Sequence, residues 1–219
     1  EAAYKSITPR SVVTITKVKR GKAFQQAPLL YDLTALQKDC NIHYDLPVDK
    51  TLAITQSLYE KKLVSYPRTG SRYIPQDVMA HIPVLLEKIT AMPEFREYRR
   101  SLDLSALNTR SVDAAKVTDH HAIIPTIEIT KTDLSAVPEG EMKILSLVAN
   151  RLLCATGKKQ LYETVKAEFS CGGYSFHVSG KTVLQNGWKE FEAALKRTYR
   201  VEKTDEDKIK DILVNHFNL

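Results

Sequence analysis

The densest chemistry in this sequence is the run Leu63-Val64-Ser65-Tyr66-Pro67-Arg68-Thr69-Gly70-Ser71-Arg72-Tyr73, where a phenol stands two residues before a guanidinium among hydroxyls and a glycine. A tyrosine becomes a nucleophile when its proton is removed or its anion is stabilised. Its ordinary pKa is about 10, so neighbouring positive charge favours the ionised form. Arg68 can supply that charge and can also grip a phosphate through two donors. Pro67 fixes its own φ and holds Tyr66 to extended conformations, which limits where the ring points. The plainer alternative is a basic surface loop with a packed tyrosine, since the chain holds ten tyrosines.

A second run, Thr118-Asp119-His120-His121-Ala122-Ile123-Ile124-Pro125-Thr126, sets two histidines behind an aspartate. Such a group can bind a metal, relay a proton or donate to phosphate. Metal is the weaker reading, because neighbours on an extended chain point to opposite faces and His120 and His121 then share no ion. Taken alone, this run reads as an ordinary polar turn leading into a buried Ile-Ile run.

The elements that must position these runs are mostly helical, between strands at both ends. Residues 11–18 (SVVTITKV) are rich in β-branched side chains and read as a strand, and residues 19–28 as a loop or crossover. Asp32 can cap a short helix through Leu33, Leu36 and Gln37. Residues 50–62 have helical character, with Ile54 and Leu58 on one side, and turn into a short extended piece ending at Tyr66. Residues 76–89 read as helix, in which Pro83 must kink the run or begin a second helix. The clearest helix covers residues 141–153, with Ile144, Val148 and Leu152 in register. After Gly157 the period falls to two: Val165, Ala167, Phe169 and Cys171 alternate, Gly172-Gly173 turns, and Tyr174, Phe176 and Val178 alternate back. A helical middle framed by strands makes the class α+β.

Composition bounds the partners. The chain has 219 residues, 43% hydrophobic and 26% charged, which suits a folded globular protein. Its net charge of +6 suits a polyanionic partner such as nucleic acid or an anionic membrane surface. No apolar run is long enough to span a bilayer, and no basic-then-apolar start resembles a signal peptide. Cys40, Cys154 and Cys171 form no Cys-x-x-Cys pair and are expected to be free thiols, so no metal site is expected within this segment.

Taken together, the two runs narrow the reading. SYPRTGSRYIP resembles the active-site signature of type IA DNA topoisomerases, and DHHAIIPT resembles a second hallmark of that family, in its topoisomerase III branch. They stand in the family's order. APLLYDLTALQKDC with TLAITQSLYEKKLVSYPR, and later LYETVKAEF with GKTVLQNGWKEF, resemble the flanking segments. Position by position, the resemblance implies Tyr66 as nucleophile and Arg68 as the arginine at the scissile phosphate. It implies His120 as a phosphate contact, with Arg72, Thr69 and Ser71 giving support or backbone contact to DNA, and it leaves the role of His121 open. Gly70 stands where many relatives carry Asp.

The resemblance further implies a winged-helix-like nucleophile domain over residues 28–157, inserted into a β-rich arch domain of residues 1–27 and 158–219. It implies an isomerase that cleaves and rejoins single-stranded DNA through a 5′-phosphotyrosine without ATP, in the cytoplasm at the nucleoid. The family's Mg²⁺ sits in a Toprim domain whose Asp-x-Asp-x-Glu cluster this sequence lacks. The chain is therefore expected to be a central fragment, inactive by itself. Asp205-Glu206-Asp207 reads as a solvated turn before a helix over residues 208–219, which has no family role. Two alternatives are a winged-helix DNA-binding module without catalysis, and a tyrosine recombinase or type IB enzyme. The latter has the wrong motif order, because its Arg, Lys and His residues surround a tyrosine late in the domain.

Overall fold

The computed structural model describes residues 7, 8 and 10–198, so the acidic turn and helix expected beyond residue 200 lie outside the described residues. Contacts divide these residues into two units, a sheet of residues 10–25 and 159–186 and a helical unit of residues 26–158 and 187–198.

In the sheet unit, β1 (Val13–Gln25), β2 (Gln160–Cys171) and β3 (Tyr174–Gln185) form an antiparallel sheet in that order. The β2–β3 turn is Gly172-Gly173, with φ of 59° and 80°. Two successive positive φ values make the primed turn that glycine alone enters without steric cost. The strand β1 runs further than its sequence suggests. Residues 19–25, expected as a loop, pair with β2 in register from Lys19↔Lys166 to Gln25↔Gln160. Their side chains carry no strand signature; the partner strand organises them. Arg20 lies 3.4 Å from Glu163 across the ladder, and the Thr164 hydroxyl donates to the Gly21 carbonyl.

The helical unit is built on local signals. Asp32 caps α1 (Leu33–Tyr44) by accepting from the Ala35 amide at 2.7 Å. α2 (Val48–Glu60) starts directly after Pro47, whose fixed φ suits the position before a first turn. Of the two outcomes open at Pro83, a kink or a second helix, the second holds: residues 76–89 form α3 (Gln76–Met79) and α4 (Ile82–Ile89), with Pro83 in the first turn of α4. There its missing amide costs nothing. The helix α5 (Glu139–Thr156) runs through the centre, burying Ile144, Val148 and Leu152. Around it close Leu36, Leu58, Leu63, Ile74, Leu86, Phe95, Ile123 and Ile129.

The sequence boundaries put residues 187–198 with the strands; their contacts are with the helical unit. Trp188 and Phe191 are buried, the Trp188 amide donates to Lys158, and Asn150 donates to the Phe191 carbonyl at 2.7 Å, ahead of α6 (Lys189–Thr198) and in its first turn. Gly157 is approached so closely that a Cβ would lie 3.1 Å from both Trp188 and the Phe191 ring. Apolar surface and close backbone approach, rather than sequence position, decide this assignment.

A polar knot joins α1 to α5. Tyr31 donates to Asp39 at 2.7 Å, Arg151 pairs with Asp39, and the Arg151 guanidinium lies 4.1 Å from the Tyr31 ring centroid. Burial pushes the Tyr31 phenol well above its ordinary value and raises the Cys40 and Cys154 thiols to about 12. All three are protonated when folded. Their stabilising share is complete below the thiol value of the unfolded chain, near pH 8.5, and is lost as pH rises from there towards 12. Thermal melts between about pH 8 and 11 should show a steady fall that Cys154→Ala makes shallower, by up to about 1.4 kcal/mol per pH unit. Equal slopes for the two proteins would contradict the buried-thiol account.

Candidate active site

The site is made of two segments with almost no regular structure, each completing the other. At the end of α2, Lys61 caps the helix and Lys62 turns into the left-handed region, with φ of 61°. The Lys62 amide donates to Tyr59 at 2.8 Å, and the Leu63 amide to Leu58 at 2.9 Å. That pair of bonds is the Schellman closure, sealed by contact between the apolar residues at its two ends, here the buried Leu58 and Leu63. It sends the chain into an extended stretch towards Tyr66.

Ser65 then joins the segments three ways. Its amide donates to Ile124 at 2.9 Å, its hydroxyl donates to Ala122 at 2.9 Å, and the same hydroxyl accepts from the Ile124 amide at 3.0 Å. Thr126 closes the upstream side, its amide bonding Leu63 and its hydroxyl bonding Lys62. Downstream, the Thr69 hydroxyl donates to the His120 carbonyl at 2.8 Å across 51 positions of sequence, and accepts from the Ser71 amide at 3.0 Å. Ser71 donates to Lys116 at 2.9 Å, and the Ala122 amide reaches Tyr73. The start of the helical unit anchors the result: Leu33 donates to Thr69, Ile123 donates to Tyr31, and Arg72 Nε donates to Leu30 at 3.1 Å.

This lacing fixes two rings. The Tyr66 and His120 centroids are 4.2 Å apart at 44°, and Tyr59 stands edge-on to Tyr66 at 5.3 Å. They line a groove of about 500 Å³ together with Lys62, Ser65, Asp119 and His121. His121 donates from Nδ1 to the Ala122 carbonyl at 2.8 Å, which leaves Nε2 as its free nitrogen. The two expected residues Tyr66 and His120 are therefore brought together. Arg68 is exposed, is absent from the groove lining, and has no carboxylate partner among the described residues. Thr69 and Ser71 are buried with their hydroxyls spent on backbone groups, and Arg72 is half-buried on a backbone carbonyl. The geometry gives Thr69 and Ser71 a holding part, and anchors Arg72 through its Nε. Gly70 has open space where a Cβ would stand, so packing does not demand glycine there.

Sequence reasoning did not single out Ser65, Tyr59 or Lys62. A serine inside the apolar run Leu63-Val64 is the signal that could have marked Ser65, because a buried hydroxyl needs partners.

With this geometry in view, the comparisons are decisive. The sequence model described as DNA topoisomerase matches residues 1–216. The chain belongs to the DNA topoisomerase family. Among curated relatives, DNA topoisomerase 3 of Bacillus licheniformis is 39% identical over 183 residues, covering 83% of this chain and 24% of that protein. DNA topoisomerase 3 of Bacillus cereus is 40% identical over 183 residues, covering 82% and 24%. The chain thus spans about a quarter of the length of the curated topoisomerases it matches. Full-length topoisomerase I from Thermotoga maritima shares the fold with a TM-score of 0.64 over 87% of this chain and 31% of that one, at 18% identity.

Replacing Thr69 by Val keeps the shape but strands the Ser71 amide and the His120 carbonyl. Each unpaired buried group costs about 1–3 kcal/mol. Hydrogen exchange at the Ser71 amide should accelerate at least tenfold in Thr69→Val; unchanged protection would show that the hydroxyl does not hold the two segments.

Proposed function

We propose that this chain carries the nucleophile of a type IA DNA topoisomerase, with Tyr66 as the attacking group. The observation behind this is the Tyr66–His120 pair, 4.2 Å between centroids, in an open groove. The Tyr66 hydroxyl has no hydrogen-bond partner among the described residues, so its oxygen is available to a substrate.

In this reading the groove receives single-stranded DNA. The Tyr66 oxygen attacks a backbone phosphorus, and the bond from phosphorus to the 3′ oxygen breaks. The phosphate remains on Tyr66 as a 5′-phosphotyrosine, and the phenolic proton is balanced by the proton taken up at the departing 3′-hydroxyl. The same hydroxyl later attacks the phosphotyrosine and restores both starting groups. One phosphoester replaces another, so ATP has no part. Charge on the non-bridging oxygens must be met by donors fixed in advance. In this reading His120 gives one, and Arg68, exposed beyond Tyr66, gives another when DNA is bound.

The Mg²⁺ that the family resemblance implies does not fit these residues. Mg²⁺ needs oxygen ligands in octahedral array, and the groove offers a single carboxylate, Asp119. No group of three or more His, Cys, Asp or Glu residues suited to a metal occurs among the described residues. In the proposal the metal belongs to a Toprim domain elsewhere in the polypeptide, the helical unit is the nucleophile domain, and the sheet is part of the arch. The setting would be the cytoplasmic nucleoid; no helix among the described residues is long and apolar enough to cross a membrane.

The test is a denaturing gel of end-labelled single-stranded DNA. The chain alone with Mg²⁺ should give no adduct. Adding a separately expressed Toprim-containing segment should give one, and Tyr66→Phe should then reduce it at least a thousandfold, because no other group supplies the covalent bond. An adduct that persists in Tyr66→Phe would refute the assignment, and binding without any adduct would leave a DNA-binding module.

A further inference from the structure

Two lysines end α2, and the turn treats them differently. Lys61 is committed: its Nζ lies 2.6 and 2.7 Å from the Glu141 carboxylate oxygens, one of which also accepts from Ser57, and this ties α2 to α5. Lys62 has no carboxylate partner among the described residues, and it lines the groove that holds Tyr66 and His120. Its backbone is left-handed, at φ of 61°. That position in a helix-closing motif favours glycine, because a Cβ there crowds the backbone. Three hydrogen bonds enforce it nonetheless: the Lys62 and Leu63 amides to the last turn of α2, and the Thr126 hydroxyl to the Lys62 carbonyl. A side chain held where its own backbone disfavours it, beside a candidate nucleophile, points to a use for that side chain.

We infer that Lys62 is a phosphate-contacting residue of the Tyr66 groove, gripping the phosphodiester backbone of a single strand next to the phosphate that Tyr66 attacks. This rests on the reading of the groove as a DNA site and adds a residue to it. Asp119, which lines the same groove, is the one carboxylate facing the arrangement. It forms no ion pair with Lys62 in the structure, which leaves the ammonium open to an anion. His120 and His121 are the other titratable cation-formers there, with Tyr59 and Tyr66 as the phenols. Thr126 holds the Lys62 backbone and Ser65 holds the backbone leading into Tyr66, so the fold fixes the points from which the two side chains enter the groove.

The left-handed backbone makes the test unusually clean, since Lys62→Gly removes the cation and relieves the crowding together. Binding of a fluorescein-labelled oligothymidylate to the 219-residue chain is titrated at several salt concentrations, alongside thermal melts. Each phosphate contact to a single strand contributes about 0.7 to the slope of log affinity against log salt. Lys62→Gly should lower that slope by about 0.7 and weaken low-salt binding several-fold, with a melting temperature equal to or above wild type. Lys62→Asn, the other residue at ease in this backbone region, should match it, and Lys62→Arg should keep the wild-type slope. Lys61→Ala should do the reverse, lowering the melting temperature and leaving the slope. A wild-type slope and affinity in both Lys62→Gly and Lys62→Asn would overturn the Lys62 assignment while leaving the groove reading intact. Wild-type binding with no salt dependence would overturn both.

Discussion

Everything at the site depends on how two irregular segments satisfy one another's backbone groups. Neither the stretch after α2 nor the one around the paired histidines has a ladder of its own, yet both run through the interior beside Val64, Ile123 and Ile124. Buried amides and carbonyls must find partners. Here they do so through a few hydroxyls: Ser65, Thr69, Ser71 and Thr126 each bond across to the other segment. A hydroxyl both donates and accepts, so Ser65 and Thr69 each serve two backbone groups. Breaking a bond of Ser65, Thr69 or Ser71 strands a part-buried group, which is why the arrangement is stiff without being regular. That stiffness sets the Tyr66 and His120 rings together in the free chain.

The same lacing separates residues that hold from residues that are free to react. Thr69, Ser71 and Arg72 lie inside the motif, but the Thr69 and Ser71 hydroxyls are committed to His120 and Lys116, and the Arg72 Nε to Leu30. The Tyr66 oxygen, the His121 Nε2 and the Lys62 ammonium are left unspent in the groove, and Arg68 is left unspent on the surface. The motif mixes these two populations, and the hydrogen-bond pattern sorts them. The charge balance has the same character: Lys61 and Lys62 are adjacent, and the helix-closing turn makes one a strut and the other a free cation.

What the sequence revealed was local. The Asp32 cap, the Gly172-Gly173 turn and the break at Pro83 each depend on a few neighbouring residues, and each stands as read. What it hid was non-local. Residues 19–25 look like a loop because their strand character comes from β2, and residues 187–198 look like part of the β frame until Trp188 and Phe191 are seen against Gly157. At the site, the resemblance singled out Tyr66 and His120, and the structure places the two rings together. It could not reveal Ser65 or Lys62, since a serine in an apolar run and a lysine at a helix end are common, and the left-handed turn carries no glycine to announce it. Arg68 follows the phenol by two positions in the motif and is exposed in the fold, without an ion-pair partner among the described residues.

The fold itself, without DNA, holds the Tyr66 ring against His120. The most direct measurement is a nuclear Overhauser spectrum of the isotopically labelled chain, read for cross-peaks between the ring protons of Tyr66 and His120. Centroids 4.2 Å apart place ring protons within range of that effect, so cross-peaks should appear in the free protein. They should fade when Ser65→Ala and Thr69→Val are combined. Absence of the cross-peaks in the unmodified chain, with both rings assigned, would contradict the account.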